Sequence, residues 1–165
     1  MKTEAPAILF EKEIKQHELL IHKVCRIYAY TNTDRQDLFQ EIVIQLWKAY
    51  PKFKGQSKFS TWLYRVAINT AITGLRKKKD FIQYHEPDKL PMNISDSHNS
   101  DEEDQLQQLY AAVEKLNEIE KAIVMLYLED KTYEEMEDIL GMTSGNLRVK
   151  MNRIKEKLRQ LTKTN

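Results

Sequence analysis

The segment "TYEEMEDILGMTSGNLRVKMNRIKEKL", residues 132–158, constrains the fold more tightly than any other part of the chain. Thr132 followed three residues later by Glu135 is the signature of a capping box, in which each side chain satisfies an amide at a helix start. Met136, Ile139 and Leu140 give that helix an apolar side. Gly141 stands where a helix ends in the left-handed conformation, which other residues enter only with strain. Thr143 or Ser144 can cap a second helix, on which Leu147, Met151, Ile154 and Leu158 recur at steps of four, three and four. A short helix, a Gly turn and a longer basic helix make a helix-turn-helix pattern. The exposed positions expected on the second helix are Asn146, Arg148, Val149, Lys150, Asn152, Arg153 and Lys155. Asn and Arg reach adenine and guanine edges in a major groove, and Lys and Arg neutralise phosphates. A solvated basic face on an ordinary helical hairpin would carry the same pattern. The acidic composition of the preceding helix favours the nucleic-acid reading.

The formal net charge of +1 conceals how the charge is distributed. Residues 52–79 hold eight Lys or Arg and no acid, with Phe53, Phe59, Trp62 and Tyr64 threaded among them. Residues 80–104 hold eight acids against Lys89 alone, and residues 141–163 hold seven basic residues against Glu156 alone. Blocks of alternating sign speak about partners rather than about fold.

Only four Gly and four Pro occur among 165 residues. Alternating β-branched runs closed by Asn-Gly or Asp-Gly are absent, so the fold class is expected to be all-α. Leu20, Val24, Ile27 and Tyr28 fall at helical spacing, as do Leu38, Ile42 and Leu46. A third helix opens near Ser60 with the stripe Leu63, Ala67, Ala71 and Leu75. Residues 81–105 contain two Pro and scattered Asn, Ser and Asp without apolar period, and read as an acidic linker. The chain is thus expected to hold two small helical domains, 8–80 and 106–163. In the second, Leu106, Leu109, Val113 and Leu116 mark one helix, and Ile119, Ile123, Leu126 and Tyr127 the next.

Several functions find no support in the residues. No apolar run reaches membrane-spanning length, and the N-terminus lacks an apolar stretch with a cleavage site, so a cytoplasmic chain without membrane insertion is expected. One cysteine makes no internal disulfide. His22-x-x-Cys25 offers at most two zinc ligands with no second pair, so no metal is expected and Cys25 reads as a core residue. Glu102, Glu103 and Asp104 read as carboxylates in a loop. No phosphate-cradling Gly loop or nucleophile motif is present, so neither catalysis nor a cofactor is expected.

Both halves resemble one family, the extracytoplasmic-function class of σ70-type RNA polymerase sigma factors. "DRQDLFQEIVIQLWKAYPKFKG" is similar to the family's polymerase-binding helix, with its Asp-Leu-x-Gln-Glu core at Asp37, Leu38, Gln40 and Glu41 and its Trp at Trp47. "FSTWLYRVAINTAITGLRKKK" resembles its promoter-melting segment, where Thr-Trp-Leu-Tyr-Arg-Ile-Ala-x-Asn is nearly matched by Thr61 to Asn69. Residues 133–158 resemble its −35-reading helix-turn-helix. The chain departs from the family at Gln36, often an acid, at Val43, often Phe, and at Phe39, which is bulkier than usual. Val149 stands at a position that is often Ser.

The resemblance implies a factor that binds core RNA polymerase, recognises −35 and −10 promoter elements and starts transcription. Asp37, Leu38, Gln40, Glu41, Ile44, Gln45 and Trp47 would meet a coiled coil in the clamp of the β′ subunit. Phe53, Lys54, Gln56, Ser57, Lys58, Trp62, Arg65, Asn69, Arg76 and Lys77 would meet the opened −10 strand, where a basic groove and aromatic platforms suit single-stranded DNA. Phe59, Trp62 and Leu63 also suit a three-helix core, so this segment is expected to serve core on one side and DNA on the other. Thr143, Ser144, Asn146, Arg148, Val149, Lys150, Asn152, Arg153 and Lys155 would meet the −35 duplex. The resemblance further implies an anti-sigma factor as a partner. A stand-alone regulator using only the helix-turn-helix is the alternative.

Overall fold

A computed structural model describes residues 5–84 and 101–163, with side chains for 5–78 and 101–162. The chain divides into two compact units, Met1–Asp88 and Lys89–Asn165. Every regular element among the described residues is helical.

The first unit holds α1 (Pro6–Gln16), α2 (Glu18–Tyr28), α3 (Asn32–Ala49), a 3₁₀ turn (Tyr50–Lys52) and α4 (Phe59–Tyr84). Helix α1 starts with Pro at its first position, where the missing amide is no loss. His17 ends α1 and begins α2: its ring Nδ1 donates to the Glu13 carbonyl at 2.8 Å. Thr31 caps α3 by accepting from the Asp34 amide at 3.0 Å. Ile21, Val24, Cys25 and Tyr28 of α2 bury against Ile42 and Leu46 of α3 and Leu63, Tyr64, Ala67, Ile68 and Ala71 of α4. The expected α2 face holds at Val24 and Tyr28 and differs at its other two positions. Leu20 and Ile27 are only half-buried, while Ile21 and Cys25 sit in the core. Ala67 and Ala71 leave room for α2 and α3 to approach α4 closely.

Burial pushes the Cys25 thiol from 9.0 up to about 11, and the nearby Arg35 guanidinium only partly opposes this. His22 instead turns outward and stacks on Phe39, with ring centroids 4.6 Å apart. The two side chains of the His-x-x-Cys spacing therefore face different surroundings. The raised thiol pKa lowers the thiolate population at pH 8 about a hundredfold, and burial blocks access as well. Iodoacetamide should accordingly label the native chain at least about a hundredfold more slowly than the chain in 6 M guanidinium. Mass spectrometry of timed samples measures both rates, and comparable rates would contradict a buried Cys25.

The second unit holds α5 (Asp101–Glu114), α6 (Glu118–Leu128), α7 (Tyr133–Leu140) and α8 (Ser144–Lys163). Helix α8 packs on the other three. Helix α6 is buried over six consecutive residues, Lys121–Leu126, as expected of a helix enclosed on all sides. Asn117 and Glu120 form a capping box at its start. Leu106 and Tyr127, expected on apolar faces, are exposed.

The expected linker differs at both ends. Helix α4 runs on to Tyr84 and α5 opens at Asp101, so 81–84 and 101–105 are helical and 85–100 lie outside the described residues. Asp101, Glu102, Glu103 and Asp104 occupy the first turn of α5 rather than a loop. Four carboxylates there meet the positive end of the helix macrodipole, which favours starting the helix at that point.

Gly141 ends α7 at φ 72 and ψ 19, the left-handed conformation expected of it. A Cβ there would meet nothing within 4 Å, so substitution strains the backbone without a clash. Gly141→Ala should destabilise the second unit by about 1–2 kcal/mol. Both Trp residues, Trp47 and Trp62, belong to the first unit. Urea unfolding should thus show an earlier circular dichroism transition with the Trp fluorescence midpoint unchanged, and equal shifts in both signals would disagree.

Candidate nucleic-acid interface

Three surfaces hold the residues expected to act. The first is one side of α3. Asp37, Gln40 and Glu41 are exposed there, with Ile44 and Trp47 each 46% exposed further along the same side. Gln45 donates to Glu41 at 2.8 Å. Ile42 and Leu46, fully buried, fix the helix so that this side points to solvent, while Leu38 is half-buried at its margin. Acidic and amide groups beside two unburied apolar residues suit a protein partner with basic and apolar groups.

The second surface is the loop 53–58 with the outer side of α4. Lys54, Gln56 and Lys58 are exposed, and Ser57 is half-buried. Gly55 takes φ 72, which lets the loop reverse. The aromatics form a network instead of free platforms. Phe53 lies 5.0 Å from Trp62 and meets Phe59 edge-on at 5.6 Å. Phe59 lies 5.3 Å from Trp62 and 5.1 Å from the His17 ring. Trp62 continues to Tyr50 at 6.4 Å, and Phe10 of α1 packs edge-on against Tyr50 at 5.2 Å and Trp47 at 5.0 Å. Phe53, Phe59 and Trp62 are each half-buried, and Leu63 is fully buried. Their rings thus anchor the loop to α4 while remaining partly open to solvent.

Arg65, Asn69, Thr73 and Arg76 are exposed on α4 at steps of four, four and three, which makes one continuous stripe starting beside Trp62. Lys77 is exposed next to it, and Lys78 pairs with Asp34 at 3.4 Å. A polar amide between guanidinium groups, on a helix with basic neighbours and few acids, suits a nucleic-acid strand.

The third surface is α7 with α8. Thr132 and Glu135 complete the capping box, at 3.1 and 3.3 Å. Leu147, Met151 and Ile154 are buried and Leu158 half-buried, which turns the opposite side of α8 outward. Asn146, Arg148, Val149, Asn152 and Arg153 are exposed, with Val149 at 49%. The basic residues are not equivalent. The Arg148 guanidinium lies 5.1 Å from the Tyr133 ring centre and the Lys155 ammonium 4.7 Å from that of Tyr127. Lys157 pairs with Glu120 at 3.1 Å, joining α8 to α6. Lys150, half-buried, lines a shallow recess of about 370 Å³ with Asn117, Glu118, Ile119, Leu140 and Met142. Arg153 takes part in none of these contacts.

Thr143 and Ser144 serve the helix start. Thr143 Oγ1 accepts from the Asn146 amide at 3.3 Å, and Ser144 Oγ donates to Glu137 at 2.7 Å. Neither Phe10, His17 nor Glu137 is singled out by sequence patterns. Pro6 followed by Phe10 and Ile14 at steps of four is the signal that could have found α1. A Glu meeting a Ser seven residues away has no such signal.

Among the described residues no helix is long and apolar enough to cross a membrane. The family model for Sigma-70 region 2 matches residues 14–81, and that for Sigma-70, region 4 matches residues 106–158. The ECF RNA polymerase sigma-E factor of Escherichia coli (strain K12) is 30% identical over 149 residues, covering 82% of this chain and 78% of that protein. The ECF RNA polymerase sigma factor SigG of Mycobacterium tuberculosis is 41% identical over 64 residues, 39% of this chain and only 17% of that relative's length. Among solved structures, the sigma factor RpoE of Bartonella quintana, in complex with the anti-sigma factor NepR, matches with a TM-score of 0.75 at 18% identity, covering 94% of this chain and 98% of that one. CnrH, in complex with the cytosolic domain of CnrY, matches with a TM-score of 0.67 at 16% identity, covering 94% of this chain and 88% of that one. At these identities the two structures speak for the fold.

Proposed function

Because the chain belongs to the ECF sigma factors of the sigma-70 family, we propose that it binds core RNA polymerase through α3 and directs it to promoters through α4 and α8. The observation that carries this reading is the pairing of regions 2 and 4 in one chain, in family order. A stand-alone regulator would need the α7–α8 unit alone and leaves the region 2 match, residues 14–81, without a task.

In this reading Asp37, Gln40 and Glu41 face the β′ clamp, with Ile44 and Trp47 as apolar anchors. Duplex DNA at −35 meets Asn146, Val149, Asn152 and Arg153, with Arg148 and Lys150 supplying further positive charge. Amides can bond adenine edges, guanidinium groups guanine edges, and an apolar side chain a thymine methyl group. Lys54, Gln56, Lys58, Arg65, Asn69, Arg76 and Lys77 follow the opened −10 strand, and the loop 53–58 encloses a base turned out of the stack. The half-buried aromatics hold that loop. Both solved neighbours are in complex with another protein, RpoE with the anti-sigma factor NepR and CnrH with the cytosolic domain of CnrY. An anti-sigma factor covering the exposed α3 side is the corresponding partner here.

Run-off transcription tests the proposal. Core polymerase with the chain, on genomic fragments, should give start sites preceded by two shared elements at a constant separation. Association with duplex DNA but not with core polymerase, and no starts above core enzyme alone, would select the stand-alone regulator instead.

A further inference from the structure

Glu137 sits in the last turn of α7, where the macrodipole disfavours a carboxylate. Its backbone carbonyl accepts from the Gly141 amide at 2.8 Å. Its side-chain Oε2 accepts twice from Ser144, the first residue of α8: from the hydroxyl at 2.7 Å and from the amide at 3.2 Å. One residue thus holds the turn at both ends, through its main chain at Gly141 and its carboxylate at Ser144. The Asn146 amide is satisfied by Thr143. Two of the four amides that a helix start leaves open are therefore occupied from within.

A helix N-terminus carries about half a positive charge and readily takes a phosphate. Here a full negative charge already lies against it. We infer that Glu137 is a positioning residue of the duplex-reading surface: it locks the first turn of α8 onto α7 and keeps DNA phosphate off that helix end. The inference rests on the proposed reading of α7–α8 as the duplex-binding element. Backbone contacts are then left to Arg148, Lys150 and Arg153, and the first turn of α8 is held at a fixed angle with Asn146 presented from it.

The full-length chain, a random-sequence 30-base-pair duplex and a duplex selected by the wild-type chain from a random pool provide the test. Glu137→Gln keeps an acceptor for Ser144 but removes the charge. It should bind the random duplex about three- to tenfold more tightly at low salt. Its log affinity against log salt should steepen by about 0.9, the contribution of one more phosphate. Glu137→Ala loses the lock as well, so preference for the selected duplex over the random one should fall about tenfold, whereas Glu137→Gln retains it. Amide exchange of Ser144 in the free chain, read by NMR, should accelerate in the Ala variant and not in the Gln variant. Helical circular dichroism should be unchanged in both. An unaltered salt slope in Glu137→Gln, or unaltered Ser144 exchange in Glu137→Ala, overturns the inference. A wild-type chain with no salt-dependent affinity for either duplex overturns the DNA-binding reading and the phosphate half of the inference, while the exchange rates still decide the lock.

Discussion

Replacing Asp37 and Glu41 together by Ala should weaken binding to core polymerase about 10- to 100-fold, which corresponds to about 1.4–2.8 kcal/mol. Both carboxylates are exposed on α3, and the helix is held from its other side by the fully buried Ile42 and Leu46 and at its start by the Thr31 cap. Their removal therefore leaves the core untouched. The Gln45 bond to Glu41, an exposed contact within one helix, contributes only a few tenths of a kcal/mol. At a protein interface the same groups would face cations partly shielded from water, where one charged hydrogen bond contributes about 1.5–3 kcal/mol, so the expected loss for the pair equals about one such bond. Ile44→Ala should add to the loss without touching the fold. Trp47→Ala is a poorer probe, since the ring also packs against Phe10 at 5.0 Å and its loss loosens α1. Pull-down with core enzyme at unchanged thermal midpoint measures the effect. Full retention of binding by the double variant would remove α3 from the interface.

Local grammar made the second unit readable. The capping box at Thr132, the left-handed Gly141, the Thr143 cap and the buried steps Leu147, Met151 and Ile154 each depend on neighbours within one or two turns. What depends on distant partners was less legible. Helix α2 carries apolar residues on two sides, and only the arrival of α3 and α4 selects Ile21 and Cys25 over Leu20 and Ile27. The basic aromatic segment showed its composition but not its packing. Phe53, Phe59 and Trp62 turn toward one another, His17 and Tyr50, and Phe10 extends that network from a helix some forty residues earlier. The same holds for the cations of α8, since Tyr127 and Tyr133 engage Lys155 and Arg148 from other helices. At Asp101–Asp104 polarity suggested coil, yet four acids in a row are also what a helix start favours.

These contacts bear on the proposed division of work between α4 and α8. Arg153 is exposed on α8 and, among the described residues, takes no part in the ring and ion-pair contacts that engage its neighbours, so in the proposed reading it would meet duplex DNA without giving up such a contact. Arg153→Ala should lower the salt slope of promoter binding by about 1 for a phosphate contact, or lose about 1–3 kcal/mol for a bidentate base contact. Asn69 is exposed on the outer stripe of α4, away from the buried Leu63, Ala67 and Ala71. In the proposed reading it would act only once the strands have parted, when its amide can donate to and accept from the edge of an unpaired base. Asn69→Ala should therefore leave the closed complex intact, reduce opening and blur the preference at one −10 base. A template already mismatched across −10 removes the need to melt the duplex, so it should largely restore opening to Asn69→Ala while the base preference stays lost. It should do little for Arg153→Ala, whose defect precedes melting. Permanganate footprinting on matched and pre-opened templates separates the two, because only unstacked thymines react. Equal rescue of both variants would mean that α4 and α8 act at the same step, and the order of events drawn from their exposed faces would be wrong.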